Sequence, residues 1–131
     1  HSVPPRRVRS VLELMRDTEV VRAGLTREEV VALVLYTGPM FAVYNAVLRG
    51  FPAEVVQRLE GNTYTTTIHC IVSGIIKLSR VSRLPDDRTV YRGLGGLELP
   101  DALLRADECG VMGGVEFAML STTLDRSVAL Q

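Results

Sequence analysis

Two short segments of this 131-residue sequence contain groups that could hold an anion or an amide. Arg92 and Gly93 end an alternating, β-branched stretch, and Ser121, Thr122 and Thr123 form a run of three hydroxyl side chains. A planar guanidinium can bind a phosphate or carboxylate through two parallel hydrogen bonds, and an exposed glycine backbone can pair with a flat amide. If the two segments are neighbouring strands, these groups face one crevice.

The same residues also have a purely structural interpretation, which residue types alone favour. An arginine beside a glycine is usually a surface residue before a turn, and hydroxyl residues before a helix usually cap it. The glycine-rich segment 93–96 is not a Walker loop, because no Gly-Lys-Ser/Thr follows it, and it lacks the three-glycine dinucleotide spacing. A phosphate-binding loop of either known type is therefore not expected.

Composition narrows the range of partners. Fifteen basic side chains balance fifteen acidic ones and 47% of the residues are apolar, which is typical of a folded domain without a general positive field. No stretch reaches the roughly 18 apolar residues that a membrane-spanning helix needs. We therefore expect neither a nucleic-acid partner nor a membrane span.

The cysteines and histidines do not indicate a metal site. Cys70 and Cys109 could form one disulfide at most and lack metal-ligand spacing, so we expect small buried hydrophobic residues. His69, next to Cys70 in an apolar stretch, is expected to pack rather than bind metal, because further ligands cannot be located. Two cysteines do not determine the cellular compartment of the protein, although they slightly favour a reducing cytosol.

Helices are expected to position the candidate site from the N-terminal side. Ser10 with Glu13, and Thr26 with Glu29, match the capping box that marks a helix start. The stretch from Thr65 to Ser82 favours strand by composition, but its apolar residues recur at three- and four-residue spacing. This spacing predicts a helix that ends near Pro85. Further helical segments are predicted over Met40–Leu48, from Pro52 to Leu59, over Pro100–Leu104 and over Leu124–Leu130.

Two strands are expected to carry the candidate residues themselves. Arg88–Arg92 and Val115–Leu120 are short and alternate between apolar and polar positions. An isolated pair of strands is marginal in water and needs further strands or covering helices. We therefore expect the chain to be incomplete at its C-terminus.

Together these motifs resemble the R-S-E class of mono-ADP-ribosyltransferases, which includes arginine-specific enzymes and related bacterial toxins. The likeness rests on residues 90–93 and 116–123, on their order, and on the spacing of roughly thirty residues from Arg92 to Ser121. The helical region from Leu25 to Pro39 is similar to helices that precede the core in eukaryotic microbial members. The resemblance covers nearly all the chain from Leu25 onward.

The resemblance implies an α+β fold, in which a helical N-terminal region is followed by the first strands of an ADP-ribosyltransferase split β-sandwich core. On this basis residues 1–9 are an extended lead-in or linker, and residues 10–131 are a partial ADP-ribosyltransferase domain. Its helical region spans 10–84, and the beginning of the NAD-binding core spans 85–131.

The resemblance also implies a role for each candidate residue. Arg92 would contact NAD, the co-substrate, near its nicotinamide ribose and phosphates, and Gly93 would hold the nicotinamide carboxamide with its backbone. Ser121 would support the site and orient a catalytic glutamate, and Thr122 and Thr123 would complete the hydroxyl motif. The implied reaction transfers ADP-ribose to an acceptor protein, with arginine as the acceptor side chain.

One element of the family pattern has no match here. The Glu-x-Glu motif that supplies the catalytic carboxylate is absent, and Glu116 precedes Ser121 rather than following it. An alternative is therefore a non-catalytic NAD-binding or protein-interaction module on the same scaffold. A third possibility is a helical adaptor in which Arg92 and Ser121 only cap and pack.

Overall fold

The computed structural model describes residues 8–84 and 86–130, and it divides into two compact units, one ending at Arg83 and the other beginning at Leu84. The described part of the first unit contains helices α1 Val11–Met15, α2 Thr18–Ala23, α3 Arg27–Thr37, α4 Phe41–Arg49, α5 Ala53–Arg58 and α6 Thr65–Ser79. The second unit contains a 3₁₀ turn, Asp101–Leu103, and helix α7, Arg126–Ala129. Most of the lead-in predicted for residues 1–9 lies outside the described residues.

Both predicted capping boxes are confirmed. Ser10 Oγ accepts the Glu13 N–H at 3.2 Å, and the Glu13 carboxylate accepts the Ser10 N–H at 2.7 Å. The same reciprocal pair joins Thr26 and Glu29, at 3.2 Å and 2.9 Å. These contacts satisfy N–H groups that the first turn of a helix leaves unpaired, and so they place the beginnings of α1 and α3.

The helix predicted from Thr65 is also confirmed, although it ends at Ser79 rather than near Pro85. Its isoleucine spacing decides the outcome, because Ile68 and Ile71 fall on one face of α6 and are buried there. Burial of that stripe outweighs the strand preference of the local composition.

The core of the first unit lies chiefly between α3 and α6, which pack more extensively than any other pair of helices described. Gly74 permits this close approach, because a side-chain carbon there would lie 2.9 Å from Leu33 Cδ1. The buried hydrophobic residues are Leu25, Val30, Ala32, Tyr44, Ala46, Ile68 and Ile71.

A buried carboxylate links the two core helices. Glu29 is only 6% exposed, and its Oε1 accepts the hydroxyl of Ser73 at 2.7 Å. Lys77 Nζ lies 2.9 Å from both carboxylate oxygens and also donates to the Gly24 carbonyl at 3.3 Å. The Thr26 N–H donates to the same carboxylate. One anion thus joins the α2–α3 turn and the beginning of α3 to α6.

These contacts keep Glu29 ionised. Burial by itself raises the pKa of this carboxyl, but hydrogen bonds from Ser73, the Thr26 N–H and Lys77, together with the Lys77 charge, lower the pKa from 4.5 to about 2. A carboxyl whose pKa is lower in the folded state stabilises the fold above its unfolded pKa. That stabilisation is lost as the pH falls from about 4.5 towards 2.

The predicted fold class is wrong. Helix makes up 48% of the structure, and residues 8–84 and 86–130 contain no strand or sheet, so this is not an α+β split β-sandwich core. Arg88–Arg92 and Val115–Leu120, both predicted as strands, are irregular. Their backbones come together at a single isolated antiparallel bridge, between Tyr91 and Thr123.

Local chemistry explains why neither segment extends into a ladder. Gly95 and Gly96 adopt φ of 57° and 81°, so the chain turns just after Arg92. In the other segment the Glu116 carboxylate accepts the Ala118 N–H at 2.9 Å, which takes that donor away from strand pairing. Two such short segments without further partners do not form a stable sheet.

No single helix in the described ranges has the length and apolar character needed to cross a membrane. Helices α3 and α4 meet that test only as a pair, and they are bent by 94° at the break between them.

We predict that Glu29→Gln lowers the free energy of unfolding at neutral pH by roughly 2 to 3 kcal/mol, because a charge-assisted buried network is lost. The difference from wild type should shrink as the pH falls from about 4.5 towards 2, where Glu29 itself becomes protonated. Urea titrations at several pH values measure both effects. Glu28→Gln, at the exposed neighbouring position, is the control. A constant difference across this pH range would contradict the assignment.

Candidate functional site

The two predicted site segments meet through their main chains. The Tyr91 N–H donates to the Thr123 carbonyl at 2.7 Å, and the Thr123 N–H donates to the Tyr91 carbonyl at 2.8 Å. This reciprocal pair is a hydrogen-bonded antiparallel bridge, which holds the two backbones at a fixed register. In this antiparallel register Arg92 lies opposite Thr122, and Ser121 is one residue further along the second segment.

Arg92 contacts Ser121 directly. Its Nη1 donates to the Ser121 carbonyl at 3.0 Å. The contact uses one of the five donors of the guanidinium. Ser121 thus positions the arginine through its main chain, whereas the resemblance predicts that Ser121 orients a catalytic glutamate. Arg92, Ser121 and Thr122 are all exposed.

The Thr123 side chain makes a second contact, with the N-cap residue of α7. Its Oγ1 accepts the Asp125 N–H at 3.1 Å, and Asp125 in turn accepts both the N–H and the hydroxyl of Ser127 at 2.8 and 2.7 Å. Asp125 is the N-cap of α7, and the hydrogen bonds from Ser127 lower the pKa of its carboxyl. The third hydroxyl of the predicted motif therefore links the bridge to α7.

Gly93 lies where another part of the same unit leaves no room for a side chain. A Cβ at this position would be 2.7 Å from the Ala129 carbonyl oxygen, at the end of α7. Neither the N–H nor the carbonyl of Gly93 makes a hydrogen bond with another residue in the described ranges. The glycine thus packs one face against α7 while its peptide groups stay available to a ligand.

The described residues of the second unit do not enclose the candidate site. None of the described residues from 86 to 130 is buried, and the only part-buried neighbours among the site residues are Tyr91 and Thr123. Arg92 therefore sits in a high-dielectric, solvent-exposed environment, where each charge interaction is weaker than in a closed pocket. The arrangement can bind an anion or an amide, but it does not itself exclude water.

Sequence reasoning missed two of these features. The approach of Ala129 to Gly93 joins residues 36 positions apart, and no local pattern marks it. The second feature is the use of Glu116 to accept a backbone N–H two residues ahead. The α7 cap, by contrast, has a visible signal, because aspartate is among the residues preferred at a helix N-cap.

The remaining candidates add no site. Residues 8–84 and 86–130 contain no group of three or more His, Cys, Asp or Glu side chains that could hold a metal. Cys70 is half-buried, but Cys109 is exposed, so the prediction that both are buried is wrong for Cys109. An exposed His69 faces an open groove on α6 instead of the core.

Comparison of the chain with protein-family models, with curated proteins and with solved structures found no match.

We predict that Gly93→Ala disrupts the bridge, because the new methyl group meets a backbone carbonyl that cannot rotate away. Overpacking of this kind typically costs about 1 to 3 kcal/mol. Amide hydrogen exchange of Tyr91 and Thr123 should therefore accelerate by about fivefold or more. Gly114→Ala is the matched control, since a Cβ there meets nothing within 4 Å. Equal exchange in both variants would show that the approach of α7 is not a constraint.

Proposed function

We propose that the Arg92–Ser121 site binds NAD and serves the transfer of ADP-ribose to an acceptor arginine, with release of nicotinamide. The observation that carries the proposal is the contact between Arg92 and the Ser121 carbonyl, because it holds the guanidinium in place while leaving further donors for a ligand. A diphosphate is a fitting ligand, since its oxygens accept two parallel hydrogen bonds from one guanidinium.

Gly93 supports the same ligand. Its N–H and carbonyl have no partner within the described residues, and they follow Arg92 directly along the chain. A carboxamide offers one acceptor and two donors, which complement a peptide N–H and carbonyl. The proposal therefore assigns the nicotinamide carboxamide to Gly93 and the diphosphate to Arg92.

The proposed reaction exchanges one bond at the ribose. The bond between C1′ and the nicotinamide nitrogen breaks, and its electron pair neutralises the positive pyridinium ring. A nitrogen of the acceptor arginine forms the new bond to C1′ and loses a proton. Positive charge develops on the ribose in between, so an oriented carboxylate would stabilise the transition state.

The sequence lacks the Glu-x-Glu motif that provides this carboxylate in the family it resembles. Glu116, which lies near Ser121 in the chain, is engaged with the Ala118 N–H. The engagement of Glu116 favours a second candidate function, in which the same residues bind NAD without transferring ADP-ribose. Both candidates share the NAD-binding step and differ in the chemistry that follows.

We predict that Arg92→Ala weakens NAD binding by about tenfold to a hundredfold, because a charge-assisted contact is worth about 1.5 to 3 kcal/mol. Arg92→Lys should restore little, since an ammonium cannot form the planar pair of hydrogen bonds. Titration calorimetry measures both. Arg88→Ala removes the same charge from an exposed position four residues away and is the control. Wild-type affinity in both Arg92 variants would refute the proposal.

A further prediction separates the two candidates. Incubated with labelled NAD and an arginine-rich acceptor, the 131-residue chain should bind NAD but label the acceptor slowly. An oriented carboxylate accounts for a factor of roughly 10² to 10⁴ in rate in comparable chemistry. Rapid labelling would show that another group supplies the carboxylate. Binding without any labelling supports the non-catalytic module.

A further inference from the structure

Helix α6 is apolar on its outer face as well as its inner one. Its buried stripe packs on α3, yet Val72, Ile75 and Ile76 are 40, 42 and 47% exposed. An open groove of about 250 Å³ follows this outer face, lined by His69, Val72, Ser73, Ile76, Lys77 and Arg80, and is called here the α6 groove. Val72 and Ile76 give the α6 groove an exposed apolar floor.

The charged rim of the α6 groove is one-sided. No acidic side chain lines it, while Arg80 and Lys77 stand at one end and His69 at the other, about three helical turns away. Lys77 already forms an ion pair with the buried Glu29 carboxylate. The Arg80 side chain forms no hydrogen bond or ion pair within the described ranges, so its charge is available to an acidic ligand.

We propose that the α6 groove docks an acidic amphipathic helix of a partner protein. An engineered cavity of about 150 Å³ holds a benzene ring, so the groove has room for one or two aliphatic side chains of such a helix. A carboxylate on the same helix, placed beyond those side chains, reaches Arg80. This is helix-in-groove recognition, with apolar anchors spaced by one turn and an ion pair at the rim.

Charge favours this occupant over a second copy of the chain. Two copies packed through α6 in antiparallel orientation bring His69 of one copy near Arg80 of the other, and parallel packing brings the two Arg80 side chains together. Neither arrangement pairs opposite charges. Residues 1–83 also carry eleven basic and seven acidic side chains, so the net field of this unit attracts an acidic partner.

A membrane surface fits less well. Stable adsorption to anionic lipid needs several uncompensated cations around an apolar face. The α6 groove offers Arg80, while Lys77 is already paired. A concave groove also suits discrete side chains better than a flat lipid surface.

The test uses the full chain and a fluorescein-labelled amphipathic helix of about 15 residues, with leucines along one face and glutamates at both ends. Fluorescence anisotropy should show saturable binding that weakens as salt is added. Ile76→Ser and Arg80→Glu should each lower the affinity by about tenfold or more. Val21→Ser and Arg58→Glu, at exposed positions on α2 and α5, should leave it unchanged.

Circular dichroism verifies that all four variants retain their helices. The proposal is overturned if a peptide with lysines in place of the glutamates binds equally well. Loss of affinity in the control variants overturns it too. Sedimentation that shows a dimer broken by Ile76→Ser would assign the face to a second copy, and flotation with anionic vesicles would assign it to a membrane.

Discussion

The helical unit depends on one buried carboxylate. Glu29 begins as a local capping residue, because it accepts the Thr26 N–H three residues back. Its other contacts come from Ser73 and Lys77, on a helix more than forty residues away. The Glu29 carboxylate thereby joins the beginning of α3 to α6, the helix that packs on α3. If Ser73 or Lys77 were lost, the buried Glu29 carboxylate would keep its charge with too few hydrogen-bond donors. The α3–α6 packing and this hydrogen-bond network therefore depend on each other.

The second unit is organised differently. It has no buried residue within 86–130, and its order comes from a reciprocal backbone pair, a cap on α7 and the approach of α7 to Gly93. These contacts form a short chain through Thr123 and Asp125. The proposed NAD-binding groups are thus held by main-chain geometry rather than by a hydrophobic core. Their exposure implies weak, salt-sensitive binding until something else covers the ligand.

The elements that the sequence predicts correctly are those governed by local chemistry. Capping residues such as Ser10 and Thr26, and the isoleucine period of α6, act within a few residues and survive in the fold. A strand is stable only when it pairs with neighbouring strands, and neither Arg88–Arg92 nor Val115–Leu120 does so beyond one bridge. Their strand propensity therefore predicts the wrong structure. Motif order predicts that Arg92 and Ser121 lie close together. It does not predict their contact through the Ser121 carbonyl, because side-chain type carries no information about main-chain acceptors.

The proposed function requires that Arg92 and Gly93 form a ligand-binding edge for NAD. An NMR titration of the ¹⁵N-labelled chain with NAD tests it most directly, since each amide and the Arg92 side chain report separately. NAD binding at this edge should produce saturable shifts of the Gly93 amide and the Arg92 Nε–H, with smaller shifts at Tyr91 and Thr123 and none in α6. An unchanged Gly93 and Arg92 at saturating NAD, or shifts confined to residues 8–83, would contradict it.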